Sequence, residues 1–273
     1  MWQEQDKFVG GEFVWTGFDY IGEPTPYGDN IVRNNKFKYK QEEVARSSYF
    51  GIVDLCGIPK DRYWLYRSFW APEKQTTHIL PHWNWEGHEG DTIPVFVYTN
   101  GDRAELFLNG KSLGFKEKEP RSDDAVKRYR LRWDVPFAAG ELKTVSYKDG
   151  VINGTEIVKT AGKAAGINAE ADRKTVPAKE NELVYVTVSV MDGNGNLCPL
   201  NMSSIHFKIE GPGIIKAVGN GDATSMASFT GTEMKVFYGK CLVIVEPNGT
   251  AGTIKLITKS DGLKTSEVNI TVK

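Results

Sequence analysis

The sequence predicts a mainly all-β protein: two immunoglobulin-like β-sandwiches, preceded by a short aromatic-rich block of mixed structure. Two long stretches, 78 to about 162 and 167 to 273, alternate apolar and polar residues with period two in short segments. Turn signals recur about every 8–12 residues in both, the spacing of a sandwich. Between them Ala161-Gly162-Lys163-Ala164-Ala165-Gly166 is small and flexible and reads as a domain link. The expected division is therefore 1–76, 77–163 and 164–273.

The first block opens on Gly10-Gly11-Glu12-Phe13-Val14-Trp15-Thr16-Gly17-Phe18-Asp19-Tyr20-Ile21, read as a buried strand running into a loop. A strand that apolar needs neighbours on both sides, and no preceding residues of this chain supply them. A helix is expected over Pro59–Trp70, with Pro59 near its first turn and Pro72 past its end. Its residues 63, 66 and 70, with 65 and 69, fall at helical spacing and predict a packed face.

In the second block Ile93–Tyr98 and Ala104–Leu108 read as strands, and Asn109-Gly110 before Lys111–Phe115 is the strongest hairpin signal in the chain. Lys127–Trp133, Leu142–Tyr147 and, after the Asp149-Gly150 turn, Val151–Thr160 complete the first sandwich. The third block offers Leu183–Val190, a turn at 192–196, then Ile205–Ile209, Lys235–Tyr238, Cys241–Val245, Thr253–Thr258 and Ser266–Val272.

Composition narrows the function. A formal net charge of -1 gives no electrostatic case for nucleic acid or an anionic membrane. No apolar run approaches the ~20 residues of a membrane span. No basic-then-apolar leader is visible at the N-terminus, and Met1 before a polar stretch fits an engineered start. Cys56, Cys198 and Cys241 are widely spaced and read as buried free thiols, with neither disulfide nor metal expected. His82 and His88 lack a further ligand at useful spacing, and no dinucleotide, P-loop or zinc motif is present, so no cofactor is expected.

The dense cluster of chemistry lies in the first block: Glu12, Trp15, Asp19, Tyr20, Glu23 and Tyr27, then Tyr49, Phe50 and Asp54. Carboxylates beside aromatic rings suit sugars, because rings stack on C–H faces while acids bond hydroxyls. The plainer alternative makes Glu12 and Asp19 satisfied polar groups at a strand end. Trp83 and Trp85 read as one face of a strand, either a sugar platform or, preferably, packing of the domain core or of its interface with the block before it.

Here a resemblance becomes specific. Gly-Glu-Phe-Val-Trp-Thr-Gly-Phe-Asp-Tyr-Ile-Gly-Glu-Pro (11–24), Ser47–Asp54 and Lys60-Asp61-Arg62-Tyr63-Trp64 resemble the last strand, loop and helix of the catalytic (β/α)8 barrel of family 2 glycoside hydrolases, β-galactosidases of the Bacteroides type above all. His82–Trp85, Val97–Asn100, Glu105–Gly114 and Gly140–Lys143 resemble the immunoglobulin-like domain that follows that barrel. Gly211-Pro212-Gly213 and Ala217–Asp222 resemble a further C-terminal sandwich.

The resemblance implies a remnant of the barrel, its last strand and helix, ahead of the two sandwiches. It also implies a retaining β-glycosidase with two glutamates, both upstream, so this chain carries no catalytic residue and is expected to be inactive alone. Trp15 would line the sugar pocket as a stacking platform, with Asp19 and Glu23 as further substrate-binding candidates. Glu12 belongs to the Gly-Glu-Phe-Val-Trp motif and is not the nucleophile. The parent would act on terminal β-galactosides or related β-glycosides, in the periplasm or outside the cell, with the sandwiches available for homo-oligomer contacts. The competing reading is a stand-alone, non-catalytic carbohydrate-binding or adhesive sandwich protein.

Overall fold

A computed structural model describes residues 6–23 and 45–273. The chain is mainly strand, and its described residues fall into two compact units. The first takes 6–18, Gly51–Val53 and Pro59–Thr160; the second takes 19–23, 45–50, Asp54–Ile58 and Ala161–Lys273.

The first unit is built from helix α1 (Asp61–Trp70), β1 (Thr77–Leu80), β2 (Thr92–Thr99), β3 (Arg103–Leu108), β4 (Lys111–Glu117), a short helix α2 (Ala125–Tyr129), β5 (Leu131–Pro136), β6 (Glu141–Lys148) and β7 (Val151–Lys159). One sheet has the order β1-β2-β5, the other β4-β3-β6-β7, and all pairings are antiparallel. Val95 and Val97 of β2, with Trp133 and Leu131 opposite them on β5, meet Ala104, Leu106 and Leu142 from the other sheet in one core. The period-two alternation puts each of those residues inward, so the sandwich follows directly from the pattern.

The hairpin at Asn109-Gly110 forms as expected, with Asn109 at φ 51°. Its side chain does further work: Oδ1 accepts the Glu141 N–H at 2.7 Å and Nδ2 donates to the Ala139 carbonyl at 3.0 Å. The tip of one hairpin is thereby tied to the turn before β6.

Several expectations fail here, each for a local reason. Residues 127–130 are not strand: Asp124 caps Val126 N–H at 2.7 Å and starts α2, so β5 begins only at Leu131. Trp83 and Trp85 lie on no strand but in a loop. Trp83 is fully buried and donates Nε1–H to the Ala138 carbonyl at 3.0 Å. Trp85 stacks on His82 at 5.1 Å. The expected packed face of α1 does not form; its one buried residue is Ser68, and Trp70 pairs with Tyr66 on an exposed surface. Among the contacts that fasten α1 are Trp64, stacked on His78 of β1 at 5.1 Å, and Phe69, edge-on to Tyr129 at 5.2 Å.

His78 is held on both ring edges, Nε2 to Asp61 Oδ1 at 3.0 Å and Nδ1 to Glu156 Oε1 at 3.2 Å. Burial alone would lower its pKa, yet the hydrogen bonds to Asp61 and Glu156 outweigh it and raise the value. A ring with a carboxylate at each nitrogen is satisfied fully only as the two-donor imidazolium.

The second unit contains β8 (Ala164–Ala171), β9 (Thr175–Val176), β10 (Val184–Asp192), β11 (Ser204–Glu210), β12 (Gly213–Gly219), β13 (Glu233–Lys235), β14 (Lys240–Pro247), β15 (Gly252–Lys259) and β16 (Ser266–Val272). Sheets of order β12-β14-β10-β8 and β13-β11-β15-β16-β9 enclose a core of Val186, Val188, Val243, Ile205, Leu256 and Ile270, among others. The small-residue link is shorter than expected, since Ala164-Ala165-Gly166 are already strand, paired to β10. The expected strand over Lys235–Tyr238 ends at Lys235.

β14 is buried on both faces, which explains its unbroken apolar run Cys241–Val245. Inward it meets the core. Outward, Leu242 and Ile244 line a cavity of about 230 Å3 with Ile21, Leu55 and Cys56. Segments from the first sequence block thus cover the outer face of this sheet. Burial pushes the Cys56 thiol up to about 12.

Candidate functional site

The buried strand expected to open the stretch from Gly10 does not form as a regular element. Within the first unit Ile52 N–H donates to the Thr16 carbonyl and Val53 N–H to the Gly17 carbonyl, both at 3.1 Å, and Phe18 bridges Val53 in parallel. Among the described residues the pairing of this stretch stops at isolated bridges, this one and that of Ile21 with Ser47. Apolar side chains consequently face outward: Phe13 is 102% exposed and Trp15 68%. An apolar segment with no sheet around it has nowhere to bury them.

Trp15 belongs to the first unit; Asp19 and Glu23 belong to the second. Asp19 is buried, while Glu23 is exposed and accepts a hydrogen bond from the Tyr20 hydroxyl. Tyr20 is fixed by reciprocal bonds with Ser48: its N–H donates to Ser48 Oγ at 2.9 Å, and Ser48 N–H returns to the Tyr20 carbonyl at 2.8 Å. Phe50 meets the Tyr20 ring edge-on at 5.9 Å. The structure therefore brings Tyr20, Glu23 and Phe50 together on one small platform. Glu12 is exposed on the first unit. Tyr27 and Pro24 lie outside the described residues.

This platform is anchored to the second sandwich. Arg46 N–H donates to the Ala223 carbonyl at 2.6 Å, and Ile21 bridges Ser47. The Asp54 carboxylate accepts N–H bonds from Cys56 at 2.8 Å and Ile58 at 2.9 Å, closing a tight loop beside Gly219 and Gly221.

One feature of the second unit escaped the sequence reading. A groove of about 890 Å3 runs between Arg46 and the loop and strand ends of the second sandwich, with Asn220, Asp222, Met202, Met226 and Lys235 in its wall. The Ala217–Asp222 motif was the signal that could have pointed there. Among the described residues no three His, Cys, Asp or Glu side chains gather as a metal site, and no helix is long and apolar enough to cross a membrane.

Residues 167–269 match the profile for glycoside hydrolase family 2 C-terminal domain 5, and residues 90–152 match DUF4982, a domain of unknown function. The chain is 42% identical over 269 residues to the β-galactosidase BoGH2A of Bacteroides ovatus, a match covering 98% of this chain and 29% of that protein. It carries C-terminal domains of glycoside hydrolase family 2.

A β-glucuronidase of Formosa agariphila is 27% identical across 85% of this chain and 22% of its own length. Among solved structures, a β-glycosidase from Bacteroides vulgatus superposes with a TM-score of 0.81 at 31% identity, covering 94% of this chain and 30% of that one. The chain spans less than a third of the length of each of these relatives.

Proposed function

We propose that the chain is the C-terminal portion of a retaining family 2 β-glycosidase, β-galactosidase-like, whose two catalytic glutamates lie in parts of the parent outside these 273 residues. The observation that carries this is the match to BoGH2A along 98% of the chain, well above the identity to the β-glucuronidase relative. In the parent, a glutamate nucleophile would form a glycosyl-enzyme that water then releases, a second glutamate serving as acid and then base.

The residues in hand fit that absence. A retaining pair needs carboxyl groups about 5–5.5 Å apart and fixed. Glu12 is exposed on one unit, and Glu23, exposed on the other, is held by a tyrosine hydroxyl. The Asn181-Glu182 pair sits in the second sandwich, where Asn181 N–H donates to Glu246. Among the described residues no pair of carboxylates is held as an acid and a nucleophile.

In this reading 1–76 is the end of the catalytic barrel, 77–163 an immunoglobulin-like sandwich and 164–273 another. Support for the first comes from its exposed apolar residues, Phe13, Trp15, Phe18 and Ile21, which a barrel's remaining strands would cover. Support for the immunoglobulin-like reading of 77–163 comes from its seven strands, split three and four with the third, sixth and seventh in one sheet. Trp15, Asp19 and Glu23 remain the candidate substrate contacts of the parent in this reading, Trp15 as a stacking ring.

The test is direct. Purified chain of this length should not hydrolyse an aryl β-galactoside, whereas the parent polypeptide should, with net retention at the anomeric carbon. Turnover by the 273-residue chain itself, free of contaminating hydrolase, overturns the proposal.

A further inference from the structure

The groove on the second unit is built rather than incidental. Asn220 is buried and fixes its wall: Nδ2 donates to the Lys235 carbonyl at 2.9 Å, and Oδ1 accepts the Asp222 N–H at 3.1 Å. Asp222 in turn accepts the Thr224 N–H at 2.8 Å and the Thr224 hydroxyl at 2.7 Å. Arg46 closes the other side, its backbone on Ala223 and its Nε on Met226 sulfur at 3.0 Å. A wall fixed in advance loses little ordering entropy when a ligand arrives.

Its chemistry is mixed in a particular way. Met202 and Met226 expose soft, polarisable thioether surface, 54% and 75% open respectively. Around them stand hydroxyls and amides, among them Ser204, Thr224 and Ser225. The charges balance, Arg46 and Lys235 against Asp222 and Glu233, with Glu233 also facing His206 at 3.5 Å. Apolar patches for C–H faces, short hydroxyls for hydrogen bonding and no net field together favour a neutral polyol over an ion or an apolar ligand. The volume lies within the ~300–1,000 Å3 of small-molecule sites.

We propose that this groove binds a neutral oligosaccharide, serving the part of a substrate that extends beyond the sugar being cleaved. The placement supports it: Arg46 is one residue from Ser47, which bridges Ile21, so the groove and the Tyr20–Glu23 platform share one anchored segment of the same unit. The second sandwich then sets chain-length preference and is more than a spacer. The ligand class rests on the glycosidase reading; the groove itself does not.

The experiment is calorimetric titration of the 273-residue chain with β-1,4-galactotetraose, and separately with tetragalacturonate as an anionic probe of equal length. Saturable binding of the neutral tetrasaccharide is expected, with Kd on the order of 1 mM. Met226→Ala should weaken it at least about fivefold while leaving the melting temperature within ~2 °C, since the side chain is exposed. No saturable binding by the folded chain, a smaller loss on Met226→Ala, or uronate binding as tight as neutral binding would each overturn the proposal. Failure of the glycosidase reading shows elsewhere, as a parent polypeptide inert toward aryl β-galactosides.

Discussion

Gly221 leaves the space that the Asp54 carboxylate fills: a β-carbon at position 221 would stand 2.2 Å from Asp54 Oδ2 and 3.1 Å from its Cβ. The carboxylate cannot swing away freely, because it holds the N–H groups of Cys56 and Ile58.

Gly221→Ala should therefore displace the 54–58 loop from the sheet that β14 centres. Overpacking of this kind costs about 1–3 kcal/mol. Limited proteolysis would report it as faster cleavage near 54–58, and urea melts would give the cost. Asp54→Ala in the same chain should recover part of it, because the obstructing carboxylate is gone; strict additivity of the two changes counts against the contact.

His78 gives a pH dependence whose sign is fixed by its raised pKa. Its folded value exceeds that of the unfolded chain, so the contribution is fully present below the unfolded value of ~6.5 and disappears as pH rises through the folded value. Denaturation midpoints across pH 5.5 to 8.5 should fall for the native chain relative to His78→Phe, which keeps the stack on Trp64 without the proton. Parallel profiles for the two would remove His78 from the account.

Trp83→Ala should cost about 3–5 kcal/mol, the range for emptying a large buried aromatic site. The ring is fully enclosed and its N–H satisfied, so glycan binding by the remaining folded chain should not change. Trp15→Ala is the converse. At 68% exposure it should shift stability by no more than ~0.5 kcal/mol, yet lower kcat/KM of the parent enzyme toward aryl galactosides.

Burial raises the pKa of all three cysteines, Cys56 to about 12. At pH 8 a disulfide-exchange reagent should label the native chain slowly and the unfolded chain rapidly at three thiols. Rapid native labelling at Cys56 would mean that the cover over Leu242 and Ile244 opens readily.

How much of this could be read beforehand depended on how local the determining forces were. Strands such as Val184–Asp192 announce themselves because alternation and burial coincide. The Asn109-Gly110 turn is set by two residues. Position 127 went wrong because one capping carboxylate, Asp124, outweighs an apparent alternation over seven residues. Residues 11–20 have the composition of a strand, but a strand is a property of its neighbours. The groove was invisible because its walls, Arg46 and Asn220 to Lys235, are separated by more than 170 residues, and contacts such as the backbone bonds to Ala223 and the Arg46–Met226 contact join them only in the fold. The Tyr20–Ser48 reciprocity is equally non-local.

Asn109 carries a last consequence. An asparagine followed by glycine is the dipeptide most prone to cyclise to a succinimide and lose its amide nitrogen as ammonia. Here both ends of that amide are engaged, by Glu141 N–H and the Ala139 carbonyl, so cyclisation onto the Gly110 nitrogen would have to break both bonds. The hairpin thus shields its own weakest chemical link, and isoaspartate accumulating at 109 during storage would serve as a clock for how often this edge of the sandwich comes apart.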